Sequence, residues 1–467
     1  ISVASTLLSS SVYGGGGTKT TDGDDSIIVG SSISSGLVQG NAGKDTISLA
    51  TTVEGGSKIR GGAGADFISS VSTLTSSTVY GDLGKDTIKF TGAVKASTIQ
   101  GGNQTDTTTD GIDSIVIGGT ATNAFVQSNA GNDSIQMAAL TKSTVRAGAG
   151  ADWVSNTGAV LSSTVRADAG ADSIYLGGVD TNNFKNSSVQ GGTGADSIDV
   201  TGRWLTSTVR GGAGADSLAI EAGNYTGGGT ANHKAKTYGD AGNDSIIIRA
   251  SWGGTTIYGD NENGASGNDT INIAGRVIGI EARGNKGDDT FNGSGAFITS
   301  TLNSGAGNDT INITGTVSGA SFIETGSGNN SVTLGGTSSS LTFVGGAGND
   351  TVTFTGAVTG VSVVSGAGND SFTFTAGGTA TAALRSTYFF GTSGGKDSLN
   401  FTANASGTVV AVSADFGSTG TYTGGVITLG NENTVTLTGA AGALGFGTLT
   451  TGVSVVTVTQ ASIDALG

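Results

Sequence analysis

Apolar side chains alternate with polar ones over stretches of four or five residues, and the alternation restarts about every twenty positions along the chain. Ile47 and Leu49, Ile88 and Phe90, Ile174 and Leu176, Ile198 and Val200, Ile271 and Ile273, Val352 and Phe354, and Phe372 and Phe374 each stand two apart. The residue between them is usually polar, as at Lys89, Asp199, Asn272, Asn312, Thr353 and Thr373. A period of two predicts a short strand with one buried face. A second strand follows in each repeat and reads Ser-Thr-Val-Arg or a relative, at 77–80, 97–100, 143–146, 163–166 and 207–210, with its Val or Ile facing inward. The stretch between the two, such as Thr91-Gly92-Ala93-Val94 or Thr355-Gly356-Ala357-Val358, reads as a turn whose last residue fills a corner of the core.

The second strand runs into a glycine-rich turn that ends in one aspartate. These aspartates are Asp25, Asp45, Asp66, Asp86, Asp113, Asp133, Asp152, Asp172, Asp196, Asp216, Asp244, Asp269, Asp289, Asp309, Asp350, Asp370 and Asp397, with Asn330 taking one place. Most steps are 19 to 21 residues, and the longer ones coincide with polar insertions such as 107–110, 225–236 and 261–266. A fixed period in this range marks a solenoid, because each unit buries its apolar face only by stacking on its neighbours. The expectation is an all-β parallel β-solenoid (β-roll or β-helix) of about 18 coils with two short strands per coil. It would span 21–401, with an N-terminal cap over 1–20 and a β-rich cap or assembly segment over 402–467, where the glycine-aspartate signature fades.

Composition agrees with that fold. Glycine supplies 85 of 467 residues and proline none, which suits stacked strands, where proline would remove a ladder hydrogen bond. The absence of cysteine excludes disulfides and thiolate metal sites. The net charge of −15 argues against nucleic acid as a partner. No apolar run is long enough to span a membrane. The start Ile1-Ser2-Val3-Ala4 lacks the basic residues of a signal peptide, so residue 1 is expected to follow a cleavage site or to lie inside a longer product.

Coiling brings the repeat aspartates into one column. Two carboxylates at a strand spacing of ~4.8 Å repel by about 0.9 kcal/mol in water and roughly 3.5 kcal/mol at an effective dielectric of 20. Divalent cations between the turns would reverse the sign, and sites built only from carboxylate and carbonyl oxygens suit Ca²⁺. Glycine at five, four and two positions before the aspartate is expected to adopt positive φ and to turn carbonyls toward the ion. Glycine, aspartate and asparagine also favour turns with no metal present.

The passages Gly61-Gly62-Ala63-Gly64-Ala65-Asp66-Phe67-Ile68, 191–198, 211–218 and 345–352 resemble the Gly-Gly-x-Gly-x-Asp-x-apolar nonapeptide of the RTX, or haemolysin-type, calcium-binding family. The resemblance covers roughly residues 20–400. It implies Ca²⁺ held between coils by the column aspartates and by turn carbonyls at Gly61, Gly62, Gly64, Gly191, Gly192, Gly194, Gly211, Gly212 and Gly214. It further implies export as an unfolded chain that folds in calcium-rich surroundings outside a bacterium. Family units run in tandem with calcium on both edges, whereas here the second turn carries no Gly-x-Asp, so one row of ions is expected. The irregular levels at Asp106/Asp113, Asp269 and Asn330 are those where occupancy is least defined.

Other residues add little chemistry. Arg60, Arg146, Arg166, Arg210 and Arg283 share the position six before the aspartate and read as outward residues offsetting nearby carboxylates, with a ligand stripe as the alternative. Ladders of Asn272, Asn292 and Asn312 and of Thr333, Thr353 and Thr373 read as side-chain hydrogen-bond ladders. An ice-binding array is disfavoured because Ala63, Ala149, Ala213, Ala306, Ala347 and Ala367 occupy the turn position such an array would use. His233 is the single histidine, so neither a histidine triad nor a histidine zinc cluster can be assembled. Trp153, Trp204 and Trp252 lie in different coils.

The expected function is therefore non-enzymatic: an extracellular, calcium-dependent structural protein of a bacterial surface layer, sheath or filament. Its partner would be other copies of itself, and a cell-surface polysaccharide is a second candidate. The alternative is the calcium-binding repeat region of a larger secreted adhesin, toxin or polysaccharide-modifying enzyme. A third reading makes the solenoid itself a polysaccharide lyase.

Overall fold

The computed structural model describes residues 1–15, 22–102, 110–177, 184–202, 204–221, 234–249, 252–261 and 266–374, and beyond these the backbone of strands between 384 and 457. Asp106, His233 and much of the expected 402–467 segment lie outside the described residues. The chain divides into two compact units, 1–223 with 234–238, and 224–233 with 239–467.

Each unit is a parallel β-solenoid. In the first, a typical coil holds the strands Phe67–Ser70, Leu74–Thr75 and Thr78–Leu83. Every strand pairs in parallel with its equivalents one repeat away: Ile68 lies between Ile47 and Ile88, Leu74 between Val53 and Val94, and Val79 between Ile59 and Ile99. These nine side chains are at most 1% exposed, so they form three stacked apolar columns that share one core. Burial of each contributes about 1.5–3 kcal/mol. The expected period-two strands are thus present, and the paired residues two apart are all buried.

The middle strand is a difference from the two-strand expectation. The stretch expected as a turn does bury its last residue, as at Val94 and Val358, but that residue also starts a two-residue strand with its own ladder. Two residues are too few to show a period, so alternation in the sequence could not reveal it. A serine ladder closes the corner that follows: the Ser77 amide donates to Ser97 Oγ at 3.1 Å, and Ser97 Oγ donates to the Lys95 carbonyl at 2.7 Å. Residues 1–13 are already coil-like, since Ser2–Val3, Leu7–Leu8 and Ser11–Tyr13 pair in parallel with the next coil.

The second unit repeats this plan, with Thr351–Phe354, Val358–Thr359 and Ser362–Val364 as one coil. Its core carries more aromatic rings: Phe354 stacks on Phe374 at 4.7 Å between centroids, and Phe343 meets Phe372 edge-on at 6.0 Å. Beyond Ser398–Thr402, which pairs in parallel with Thr434–Thr438, antiparallel pairs appear, including Thr421–Thr423 with Val426–Thr428 and Gly445–Leu449 with Val453–Thr457.

Stacking leaves little room at the turns. Gly64 has φ +139°, and a Cβ there would collide with the carbonyl oxygen of Gly43 in the neighbouring coil. Gly64→Ala should lower stability by about 2–3 kcal/mol. Gly30→Ala, whose Cβ would meet only the Val3 carbonyl at 3.6 Å, should be nearly neutral. Denaturant midpoints of the two variants check this, and equal effects would contradict the turn packing.

Candidate metal centre

The glycines of the repeat turn serve two different ends. Gly62 and Gly64, Gly192 and Gly194, and Gly212 and Gly214 all have φ between +121° and +139°, as expected for the second and third glycines. The first glycine, Gly61, Gly191 or Gly211, is not in that region, which corrects the expectation that all three would be. At Gly61 and Gly191 a Cβ would collide with Oδ2 of the aspartate five residues on. For Gly61 and Gly191 the same Cβ would also strike the carbonyl oxygen of the equivalent residue in the next coil, Gly81 or Gly211. Among the described residues, where the second glycine is replaced, the substitute is Asn or Asp with φ near +80°: Asn41, Asp82, Asn129, Asp168, Asp240 and Asn285. These residue types tolerate left-handed backbone.

In the first unit the repeat aspartates form one unbroken column. The backbone N–H of Asp25 donates to Oδ1 of Asp45, and the same bond recurs from Asp45 to Asp66 and on through Asp86, Asp113, Asp133, Asp152, Asp172, Asp196 and Asp216, at 2.7–2.9 Å. In the second unit the column runs Asp244, Asp269, Asp289, Asp309, Asn330, Asp350, Asp370 and Asp397 at 2.8–2.9 Å. The irregular levels at Asp113, Asp269 and Asn330 therefore keep the common register, and the insertions beside them leave it undisturbed.

A second ladder, not expected from the sequence, runs beside the first. The residue just before each aspartate, where it is Asn or Asp, accepts a backbone N–H from the following coil. Lys44 donates to Asp24 Oδ1 at 2.8 Å, and Asn268, Asp288, Asn308, Asn329, Asn349 and Asn369 each donate to the residue one coil earlier, from Asn243 to Asn349, at 2.6–2.9 Å. The two ladders run in opposite directions, so adjacent residues of one turn grip the coil above and the coil below. The recurrent Asn-Asp pair was the available signal. One rung of the expected face ladder is present, with Asn292 Nδ2 donating to Asn272 Oδ1 at 2.9 Å.

From Asp45 to Asp216 and from Asp269 to Asp397 one oxygen of the carboxylate is thus satisfied by a neighbouring N–H. The other oxygen has a hydroxyl partner at Asp350 and Asp397, from Thr325 and Ser365, but at many levels it has none. In the first unit Oδ2 of Asp45, Asp66, Asp86, Asp113, Asp152, Asp172 and Asp196 is buried with no hydrogen-bond partner, and in the second unit the same holds for Asp269 and Asp289. At Asp45, Asp66, Asp86, Asp196, Asp269 and Asp289 this oxygen and a carbonyl oxygen of the next coil converge on the space beside the first glycine. Two acceptors facing each other in a buried site need a proton or a cation between them.

The electrostatics follow from that geometry. Burial, together with the neighbouring carboxylates, pushes Asp66 up to about 7, Asp86 to about 8 and Asp113 to about 9, against the lowering effect of the N–H bond. In the second unit burial likewise raises Asp269 to about 7 and Asp289 to about 8. Burial raises Asp133 and Asp309 too, and there Ser128 and Ser304, standing where most coils have the first glycine, oppose the shift.

Among the described residues no three His, Cys, Asp or Glu side chains surround one point. Each level except that of Asn330 offers one column carboxylate, so most of the ligands of any ion would have to be backbone carbonyls. All of these donors are oxygen, a set that fits a hard cation such as Ca²⁺ rather than a soft transition metal. The fit is better where the first position is glycine than in the coils of Asp152 and Asp172, where Ala147 and Ala167 add a buried methyl.

The arginines divide by partner. Arg60 donates from Nε to Asp82 Oδ2 and Arg146 from Nε to Asp168 Oδ2, each at 2.8 Å, while Arg283 Nε donates to Glu281 at 2.6 Å. For these three this is the charge-offsetting role expected from their position.

No family model and no curated protein matches the chain. Among solved structures it is similar to the X-ray crystal structure of a hyperactive, Ca²⁺-dependent, β-helical antifreeze protein from an Antarctic bacterium. Sequence identity is 17%, with 79% of this chain and 83% of that one covered and a TM-score of 0.30. The calcium dependence and antifreeze activity in that description are properties of that protein.

Proposed function

We propose that this chain is an extracellular, non-enzymatic structural protein whose β-solenoid is stabilised by a single row of Ca²⁺ ions along the aspartate column. Its setting would be a bacterial surface layer, sheath or filament. The observation that carries this reading is the file of buried carboxylate oxygens that have no hydrogen-bond partner, six of which converge with a carbonyl oxygen of the next coil. Such an arrangement is unfavourable when ionised and bare, and oxygen-only donors at every level suit a calcium ion. The RTX resemblance of the turns points the same way. Bound calcium would neutralise the column and tie each coil to the next, while the side chains of the column make no provision for a substrate.

The assembly part of the proposal has its own test. Electron micrographs of the purified protein should show regular sheets or filaments in millimolar calcium that disperse on chelation and re-form on resupply. Arrays that persist unchanged in chelator, or dispersed particles at every calcium concentration, would count against it.

A further inference from the structure

The outward face of the strands that precede the repeat turns carries a positively charged strip in the first unit. Parallel register places Arg146, Arg166, Gln190 and Arg210 in one row on four successive coils. A second row, Thr144, Thr164, Ser188 and Thr208, runs beside it two residues earlier in the same strands. Neither row contains an acidic side chain over these coils, although the chain as a whole carries −15.

The three guanidinium groups are held differently. Arg146 is fixed by Asp168 of the following coil, at 2.8 Å. Arg210 lies 4.0 Å over the centre of the Tyr238 ring. Arg166, between them, is exposed, and the place corresponding to Asp168 in the coil that follows it is Gly192, which has no side chain. An exposed cation therefore stands beside one anchored cation, with Gln190 between it and the second, and hydroxyl groups run alongside at the strand spacing of about 4.8 Å.

We propose that this strip binds an anionic glycan, sulfated or uronic, laid along the stacking direction with its acidic groups on Arg166 and its neighbours and its hydroxyls on the Thr/Ser row. Planar guanidinium groups pair with carboxylate and sulfate oxygens in two-pronged fashion. A linear polysaccharide presents both charge and hydroxyls at intervals comparable with the coil spacing. Nucleic acid fits less well, because three arginines on a strongly acidic protein are few for a phosphate backbone and this row offers no exposed aromatic ring for base stacking. The inference does not depend on the metal row.

Affinity electrophoresis of the calcium-loaded full chain tests it, with dextran sulfate, neutral dextran and a double-stranded oligonucleotide as probes. Dextran sulfate should retard the protein and neutral dextran should not. Arg166→Gln should weaken the retardation about tenfold, and the triple variant Arg146→Gln/Arg166→Gln/Arg210→Gln should abolish it. Arg283→Gln, in the second unit, should change nothing. Far-UV circular dichroism confirms that the outward substitutions leave the fold intact. Retardation unchanged in the folded triple variant, equal retardation by neutral dextran, or tighter binding of the oligonucleotide would each overturn the assignment.

Discussion

In metal-free buffer the protein should stay folded at pH 5 and lose its β-structure at pH 9. An ordinary aspartate pKa near 3.8 in the unfolded chain compares with about 7 for Asp66, 8 for Asp86 and 9 for Asp113 in the folded one. Below pH 3.8 these groups are protonated in both states and have no effect on the balance. As pH rises above that, the unfolded carboxylates ionise while the folded ones still hold their protons, so the folded state binds more protons and becomes relatively less stable. Each group contributes about 1.4 kcal/mol per pH unit until its own folded pKa is passed. Several such groups acting together exceed the usual 5–15 kcal/mol of a domain. Chelator-dialysed protein transferred to metal-free buffers, followed by far-UV circular dichroism and urea midpoints, checks this. Stability that is level from pH 5 to pH 9, or greater at pH 9, would show that the buried carboxylates are not under strain.

The second large effect separates charge from shape. Asp86→Asn/Asp113→Asn should raise the stability of the metal-free protein at pH 7 by several kcal/mol, and should lower its calcium content and the stability gained from calcium. An asparagine can keep the bond its aspartate makes, with Oδ1 accepting the N–H of the preceding coil, while Nδ2 supplies the donor that the orphaned oxygen lacks. Asn330 already does this in the second unit: its Oδ1 accepts the Asp309 N–H at 2.8 Å, and its Nδ2 donates to Asp350 Oδ1 at 2.9 Å and to the Gly328 carbonyl at 3.2 Å. Urea denaturation with and without calcium, paired with calcium counting by equilibrium dialysis, gives both readings. A double variant that is less stable than its parent in metal-free buffer would mean that these carboxylates are needed for reasons other than an ion.

Much of this architecture was legible from residue types alone. Alternating apolar residues such as Ile88 and Phe90, spaced by a regular aspartate, specify a stacked strand because no other arrangement buries a four-residue face. The column of aspartates followed from the same period. Three features did not. The two-residue strand at Leu74–Thr75 is too short to show a period. The first glycine of each turn is indistinguishable in sequence from its neighbours, yet its role is clearance for Oδ2 rather than backbone freedom, and only the position of the adjoining coil reveals that. The opposed ladders of Asn308 and Asp309 likewise depend on which coil each side chain faces, which alternation along one chain does not encode.

Diffraction from calcium-grown crystals, with anomalous differences measured at long wavelength, examines the metal row most directly. Peaks at calcium height should appear beside Oδ2 at the glycine-bearing levels, among them Asp66, Asp86, Asp196 and Asp289, and should be weak or missing at Asp152 and Asp172. A map with no anomalous peak along either column, from protein that is fully folded at pH 8, would contradict it.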